Sequence, residues 1–166
     1  MVWRLSRLVY LLAPAFMANM APPFVRFWHG WNRPISERWL GAHKTVLGVG
    51  AGIATALLVS FVQARLAWSG NLMDYSHWPL LGLLLGLGAM GGDLMKSFFK
   101  RRCGIPAGAR WVPWDQLDFV AGALILIEPS ARLSWPDVAL LCAVTFVGDI
   151  AVNQVAFRLG IRTTAW

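Results

Sequence analysis

Apolar residues in this chain come in long continuous runs, not in the alternating or one-faced patterns of soluble elements. The runs predict five helices, at about residues 2–20, 46–68, 78–99, 116–134 and 136–157. Each comes close to the roughly 20 residues an α-helix needs to cross a bilayer. The fourth is the weakest, because Glu128-Pro129 interrupts it and its clean apolar part runs only from Phe119 to Ile127. Such a helix is expected to tilt, or to end early against packed protein. The pattern predicts an all-α, polytopic integral membrane protein of five transmembrane helices, with residues 1–166 as a single membrane-embedded domain.

Composition agrees with the pattern. Of the 166 residues, 57% are hydrophobic and 14% are charged, against roughly 25% charged in a soluble domain. Mean hydropathy is +0.55. A signal peptide ahead of a soluble domain does not fit, because apolar runs recur to the C-terminus. Tryptophans 3, 28, 68, 78, 111, 114 and 135 favour the predicted span ends, as an interfacial belt does. Cys103 and Cys142 have no metal-ligand spacing and read as two free thiols.

Charge changes the picture by giving an orientation. The net charge is +7. Arg26, Arg33, Arg38 and Lys44 lie in the first connection, and Lys96, Lys100, Arg101, Arg102 and Arg110 at the end of the third helix and beyond. Arg158 and Arg162 lie in the tail, and only Arg4, Arg7, Arg65 and Arg132 fall on the other side. This bias places the N-terminus outside and the C-terminus in the cytoplasm, although Arg4 and Arg7 argue mildly the other way. It implies a multi-pass protein of an inner or cytoplasmic membrane. Cations in short loops between apolar spans suit lipid headgroups, and nucleic acid is not expected as a partner. The apolar faces leave open whether the protein stands alone or forms a homodimer.

Glycines mark the second and third helices: Gly48, Gly50 and Gly52, then Gly82, Gly86, Gly88, Gly91 and Gly92. Their four-residue spacings suit close packing in lipid, and the missing side chains also leave room for a cavity. Gly86, Gly88 and Gly91 match GxGxxG, but no βαβ context surrounds them, so a dinucleotide fingerprint is rejected.

Candidate chemistry is concentrated between Gly92 and Phe119, GDLMKSFFKRRCGIPAGARWVPWDQLDF. Ionisable groups at membrane depth are costly and point to function. Asp93, Lys96 and Lys100 share one helical face, and Ser97 joins it. Asp115 and Asp118 start the fourth helix, with Gln116 between them. Carboxylates beside cations suit a phosphorylated substrate held with magnesium, which prefers oxygen ligands. Aspartates brought together would repel unless a divalent cation joined them. Plainer readings use the same residues. Asp93 and Lys96 satisfy each other while Lys100, Arg101 and Arg102 snorkel, or Asp115 is an N-cap with Asp118 near the third position. Gly104, Pro106 and Gly108 make the loop compact, either a cover for the site or a plain connector. Lys44 is placed to reach a phosphate, Thr45 to cap the second helix and Asn19 to donate to a substrate oxygen. Asp149 and Asn153 lie one turn apart in the fifth helix and read as a helix–helix hydrogen bond or part of a wet path.

The segments GGDLMKSFFKRRCGIPAGARWVPWDQLDFVAGALI, ANMAPPF, GAHKTVLGVGAG and VNQVAFRLGIRTTAW resemble the CDP-archaeol synthase family, relatives of the CDP-diacylglycerol synthases. The likeness runs in order through nearly the whole chain and is strongest over 91–124. It implies a magnesium-dependent cytidylyltransferase that condenses CTP with a membrane lipid phosphate, giving a CDP-lipid and pyrophosphate at the cytoplasmic face. In that reading Asp93, Lys96, Asp115 and Asp118 are catalytic, and the three aspartates hold the metal. Asn19, Lys44, Thr45, Ser97, Lys100, Arg101, Gln116 and Asn153 bind substrate. The sequence departs from the family pattern at three places. Leu47 stands where an arginine is usual, His43 where an asparagine is common, and Asp149 where the last helix usually carries histidine. Alternative readings are a divergent homologue acting on another phosphorylated lipid, such as a polyprenyl phosphate, and a non-catalytic anionic-lipid-binding or transport protein.

Overall fold

The computed structural model describes residues 2–106 and 109–161, without the side chain of Arg26. Gly108 and Arg162, used above for the loop and the charge bias, lie outside the described residues. Six α-helices follow in order: α1 (Val2–Met20), α2 (Glu37–Leu40), α3 (Val46–Leu66), α4 (Trp78–Arg102), α5 (Trp114–Ala131) and α6 (Trp135–Arg158). Short 3-10 turns at Pro22–Phe27 and Tyr75–His77 lead away from α1 and into α4.

The five long helices match the five apolar runs to within a few residues. Thr45 caps α3, its hydroxyl accepting from the Gly48 N–H at 3.1 Å. Before α6, the Asp137 carboxylate accepts from Ser134 N at 3.2 Å and from Ser134 Oγ at 2.5 Å. These side chains satisfy backbone donors that the first turn of a helix leaves open. Four stretches among the described residues are long and apolar enough to cross a membrane: Val2–Val25, Val46–Leu66, Tyr75–Arg102 and Trp135–Arg158. The protein is therefore an all-α, multi-pass membrane protein. The fifth long helix, α5, is not among them, because its 18 residues carry Asp115, Asp118 and Glu128. It does not end early: it continues through Pro129 to Ala131.

Helix α4 lies at the centre of the bundle, packed most extensively on α5 and then on α3. Glycine makes the α4–α5 seam possible. A Cβ on Gly88 would lie 2.6 Å from the Ala123 Cα, one on Gly92 would strike the Asp118 carbonyl, and one on Gly122 would strike the Gly88 carbonyl. On the other side of α4, Gly82 and Gly86 meet Leu57, Ser60, Ile53 and Ala56 of α3. Gly82, Gly86, Gly88, Gly92 and Gly122 thus serve close packing, whereas a Cβ on Gly50 or Gly91 would meet nothing within 4 Å. Gly86, Gly88 and Gly91 all lie inside α4, which leaves no loop to cradle phosphates.

Contacts define two ends of the bundle. At one end Arg4 of α1 donates to Asp137 at 2.5 Å and to Ser134 Oγ at 3.0 Å, and Arg7 donates to the Gly70 carbonyl at 2.9 Å. At the other end the start of α3, the last turns of α4 and the start of α5 meet, and the candidate chemistry lies there.

Candidate active site

Because the glycine seam lets the α4 and α5 backbones touch, charged side chains from both helices crowd into one place. Lys96 Nζ lies 2.9 Å from Asp118 Oδ2, 3.3 Å from Asp93 Oδ1 and 3.3 Å from Asp115 Oδ1. Lys44, just ahead of α3, donates to Asp93 Oδ2 at 2.5 Å. Lys100 donates to both oxygens of Asp115, at 2.9 and 3.0 Å. Three carboxylates and three ammonium groups thus interlock, drawn from α4, α5 and the α3 entry. The cluster is shielded but not sealed: the Asp118 side chain is 4% exposed, Lys96 and Asp93 15% each, Lys44 26%.

The structure settles between several readings of these residues. Asp115 is not the N-cap. That place falls to Pro113, and α5 begins at Trp114. The Asp115 carboxylate instead accepts from Trp111 N at 2.6 Å, which ties the preceding loop to the cluster. Asp118 is not a first-turn carboxylate; it is buried, with Oδ1 accepting from Phe119 N at 2.7 Å. Lys100 does not snorkel, being buried against Asp115. Arg102 is exposed, with its guanidinium 4.3 Å from the centre of the Trp39 ring. Ser97 is buried and its hydroxyl donates to the Asp93 carbonyl at 2.8 Å, within its own helix, so it adds no donor to the cluster. Thr45 is occupied as a cap.

Gln116 is buried beside the aspartates with Oε1 lacking a hydrogen-bond partner, and Arg101 Nε is likewise buried and unpartnered. Asn19 and Asn153 come together. They line a mostly apolar hollow of about 340 Å³ between the end of α1 and α6, where Asn153 donates to Asp149 at 2.8 Å within α6. A second, more open hollow of about 600 Å³ runs along α1 and α3 past Met17, Phe24, Trp28 and Leu47. Neither is lined by Asp93, Asp115 or Asp118. Cys103 and Cys142 are free thiols, as expected.

The three aspartates converge, but around the Lys96 ammonium, and among the described residues no three His, Cys, Asp or Glu side chains form a ready metal-binding group. The donor set still fits a hard divalent cation. All three side chains offer carboxylate oxygens close to one cationic position, and buried Asp118 Oδ2 faces the Lys96 ammonium there at 2.9 Å. Oxygen-only donors of this kind suit magnesium.

Sequence reasoning missed the short helix α2 and its side chain Trp39, which stacks on Phe98 of α4 at 5.8 Å between ring centres. Ser36 ahead of it and Gly41 behind it are the signals that could have found it.

The chain is similar to known proteins over most or all of its length. A family model described as "CarS-like: CDP-archaeol synthase" matches residues 2–166. A CDP-archaeol synthase of Saccharolobus islandicus is 34% identical over 167 residues, covering 98% of this chain and 95% of its own length. That of Sulfolobus acidocaldarius is 34% identical over 169 residues and covers all of both chains. That of Methanospirillum hungatei is 35% identical, over 82% of this chain and 87% of its own. A solved structure described as an intramembrane enzyme for archaeal membrane lipids biosynthesis superposes with a TM-score of 0.73 at 29% identity, over 87% of this chain and 91% of that one.

Proposed function

The chain belongs to the CDP-archaeol synthase family, and from that premise we propose that its reaction centre is the aspartate–lysine cluster between α4 and α5. The protein is an enzyme that transfers a cytidylyl group from CTP to a membrane lipid phosphate, giving a CDP-lipid and pyrophosphate. The observation that carries the proposed site is the convergence of Asp93, Asp115 and Asp118 on Lys96, with Lys44 and Lys100 beside them.

A phosphate oxygen of the lipid attacks the α-phosphorus of CTP. The bond from that phosphorus to the bridging oxygen breaks, and pyrophosphate leaves. The attacking phosphate is already ionised, so the protein supplies no general base. Its task is positioning and charge neutralisation, as in phosphoryl transfer generally. Lys44, Lys96 and Lys100 bind phosphate oxygens, and Arg101 adds charge at the rim. Asp93, Asp115 and Asp118 would hold Mg2+, whose chemistry when bound is to neutralise the triphosphate and the leaving group. Asn19 and Asn153 line the hollow at the ends of α1 and α6 and serve the lipid acceptor, whose chains lie against the apolar walls. The acceptor proposed is the unsaturated ether lipid of glycerol-1-phosphate.

The same proposal gives the chain five crossings, an outside N-terminus, a cytoplasmic C-terminus, a cytoplasmic site and one domain over 1–166. Two features support the fifth crossing. Eighteen residues of α5 extend about 27 Å, close to the hydrocarbon thickness. The helix also starts at the aspartate cluster and ends beside Ser134, which Arg4 reaches at the opposite end of the bundle. The cluster end carries most of the Lys and Arg residues, which supports a cytoplasmic site.

The test uses purified protein in detergent with magnesium, radiolabelled CTP and glycerol-1-phosphate ether or glycerol-3-phosphate ester lipids. The expected product is a labelled CDP-lipid, formed by the parent and lost in Asp118→Asn while the variant still melts cooperatively. Full activity in Asp118→Asn would remove this cluster from the reaction.

A further inference from the structure

The lysine that reaches Asp93 from the α3 entry is held by a loop with an unusual anchor. Val46 N donates to the Arg33 carbonyl at 3.0 Å and Ile35 N to the Lys44 carbonyl at 2.8 Å, so Pro34 and Thr45 pair as an isolated antiparallel bridge. The loop between them is closed at its base, with Lys44 there. At its tip is α2, where Ser36 Oγ accepts from Trp39 N at 3.4 Å and Gly41 ends the turn at φ +91°, a conformation suited to glycine.

The tip docks on the last turns of α4. The Trp39 ring stacks on Phe98 with an interplanar angle of 23°. The Arg102 guanidinium lies 4.3 Å from the Trp39 ring centre and 5.2 Å from that of Phe98, and Arg38 lies 5.3 Å from the Trp39 ring. Loop and helix are therefore joined at two points: Lys44 on Asp93 at the base, Trp39 on Phe98 and Arg102 at the tip. Nine residues of helix separate Asp93 from Arg102, about 13 Å along the axis. A lysine side chain is flexible and strongly hydrated, so its aim depends on where its backbone is fixed.

We propose that Trp39, clasped by Phe98 and Arg102, is a positioning residue that fixes the loop so that Lys44 is aimed into the aspartate cluster. The proposal rests on the reading of Lys44 as a phosphate-binding residue. Trp39 touches no substrate and acts only through Lys44. An interfacial tryptophan with no such role would act independently of Lys44.

The experiment is a double-mutant cycle in detergent with magnesium, CTP and the lipid phosphate that the parent accepts, reading kcat/KM for CTP. Lys44→Met is expected to lower it about tenfold or more, the size of a lost charge-assisted hydrogen bond. Trp39→Ala is expected to lower it severalfold when Lys44 is present and to have no further effect in Lys44→Met. Trp39→Phe keeps most of the parent value. Arg102→Ala follows Trp39→Ala and Arg102→Lys restores activity, which keeps the test open should Trp39→Ala fold poorly. Multiplying losses in Trp39→Ala/Lys44→Met overturn the proposal while leaving Lys44 in the site. An unchanged kcat/KM in Lys44→Met removes Lys44 from the site and the proposal with it.

Discussion

Replacing Lys96 with methionine takes away the cation that three carboxylates share. Asp93 keeps Lys44, and Asp115 keeps Lys100 and the Trp111 N–H. Asp118 keeps only the Phe119 N–H on one oxygen, and its other oxygen lies 2.9 Å from the lost ammonium in a side chain 4% exposed. Deleting one partner of a buried ion pair costs about 3–5 kcal/mol, because the remaining charge is left without compensation. Lys96 is itself 15% exposed, so the lower end, about 3 kcal/mol, is the better figure. For a chain of this size each kcal/mol moves the melting temperature by about 2–4 °C, so Lys96→Met should melt about 6–12 °C lower. The assay is thermal unfolding in detergent without divalent ions. The decisive comparison is Lys96→Met/Asp118→Asn, where neutralising the stranded carboxylate should recover most of the loss. If Lys96→Met melts within about 2 °C of the parent, or the second substitution rescues nothing, the ion-pair reasoning is wrong.

Gly92→Ala should force α5 off α4, because the new methyl meets the Asp118 carbonyl, a backbone atom that cannot rotate away. A loss of about 3 kcal/mol is expected, with turnover abolished. Gly91→Ala, whose methyl meets nothing within 4 Å, is the control and should be neutral or slightly stabilising in thermal melts. Cys103 is exposed in the loop after α4 and Cys142 is half-buried in α6. A membrane-impermeant maleimide should therefore label Cys103 in inside-out vesicles and not in right-side-out ones, and the reverse pattern would invert the proposed orientation.

The five long helices were legible because continuous apolar runs leave few alternatives, and their bounds shifted by only a few residues. The spacing of Asp93, Lys96 and Lys100 announced one charged face correctly. What the spacing does not carry is the partner across the seam: nothing local places Lys96 between the three aspartates. Asp115 looked like a cap because it stands near the start of a helix, yet its oxygens are taken by Lys100 and the Trp111 N–H. Ser97 shared the face but spends its hydroxyl on its own helix. Helix α2 was invisible because four residues are too short to show a period. Trp39 owes its place to contacts with Phe98 and Arg102, about sixty residues downstream, and no local pattern encodes them.

Arg4 finds its partner Asp137 only 133 residues further along. Arg7, by contrast, meets the Gly70 carbonyl 63 residues on. During synthesis the leading segment is therefore fastened in two stages, first to the turn between α3 and α4 and later to the start of α6. The Arg4 charge, which argued against the proposed outward placement of the N-terminus, meets its carboxylate only once the start of α6 has been made.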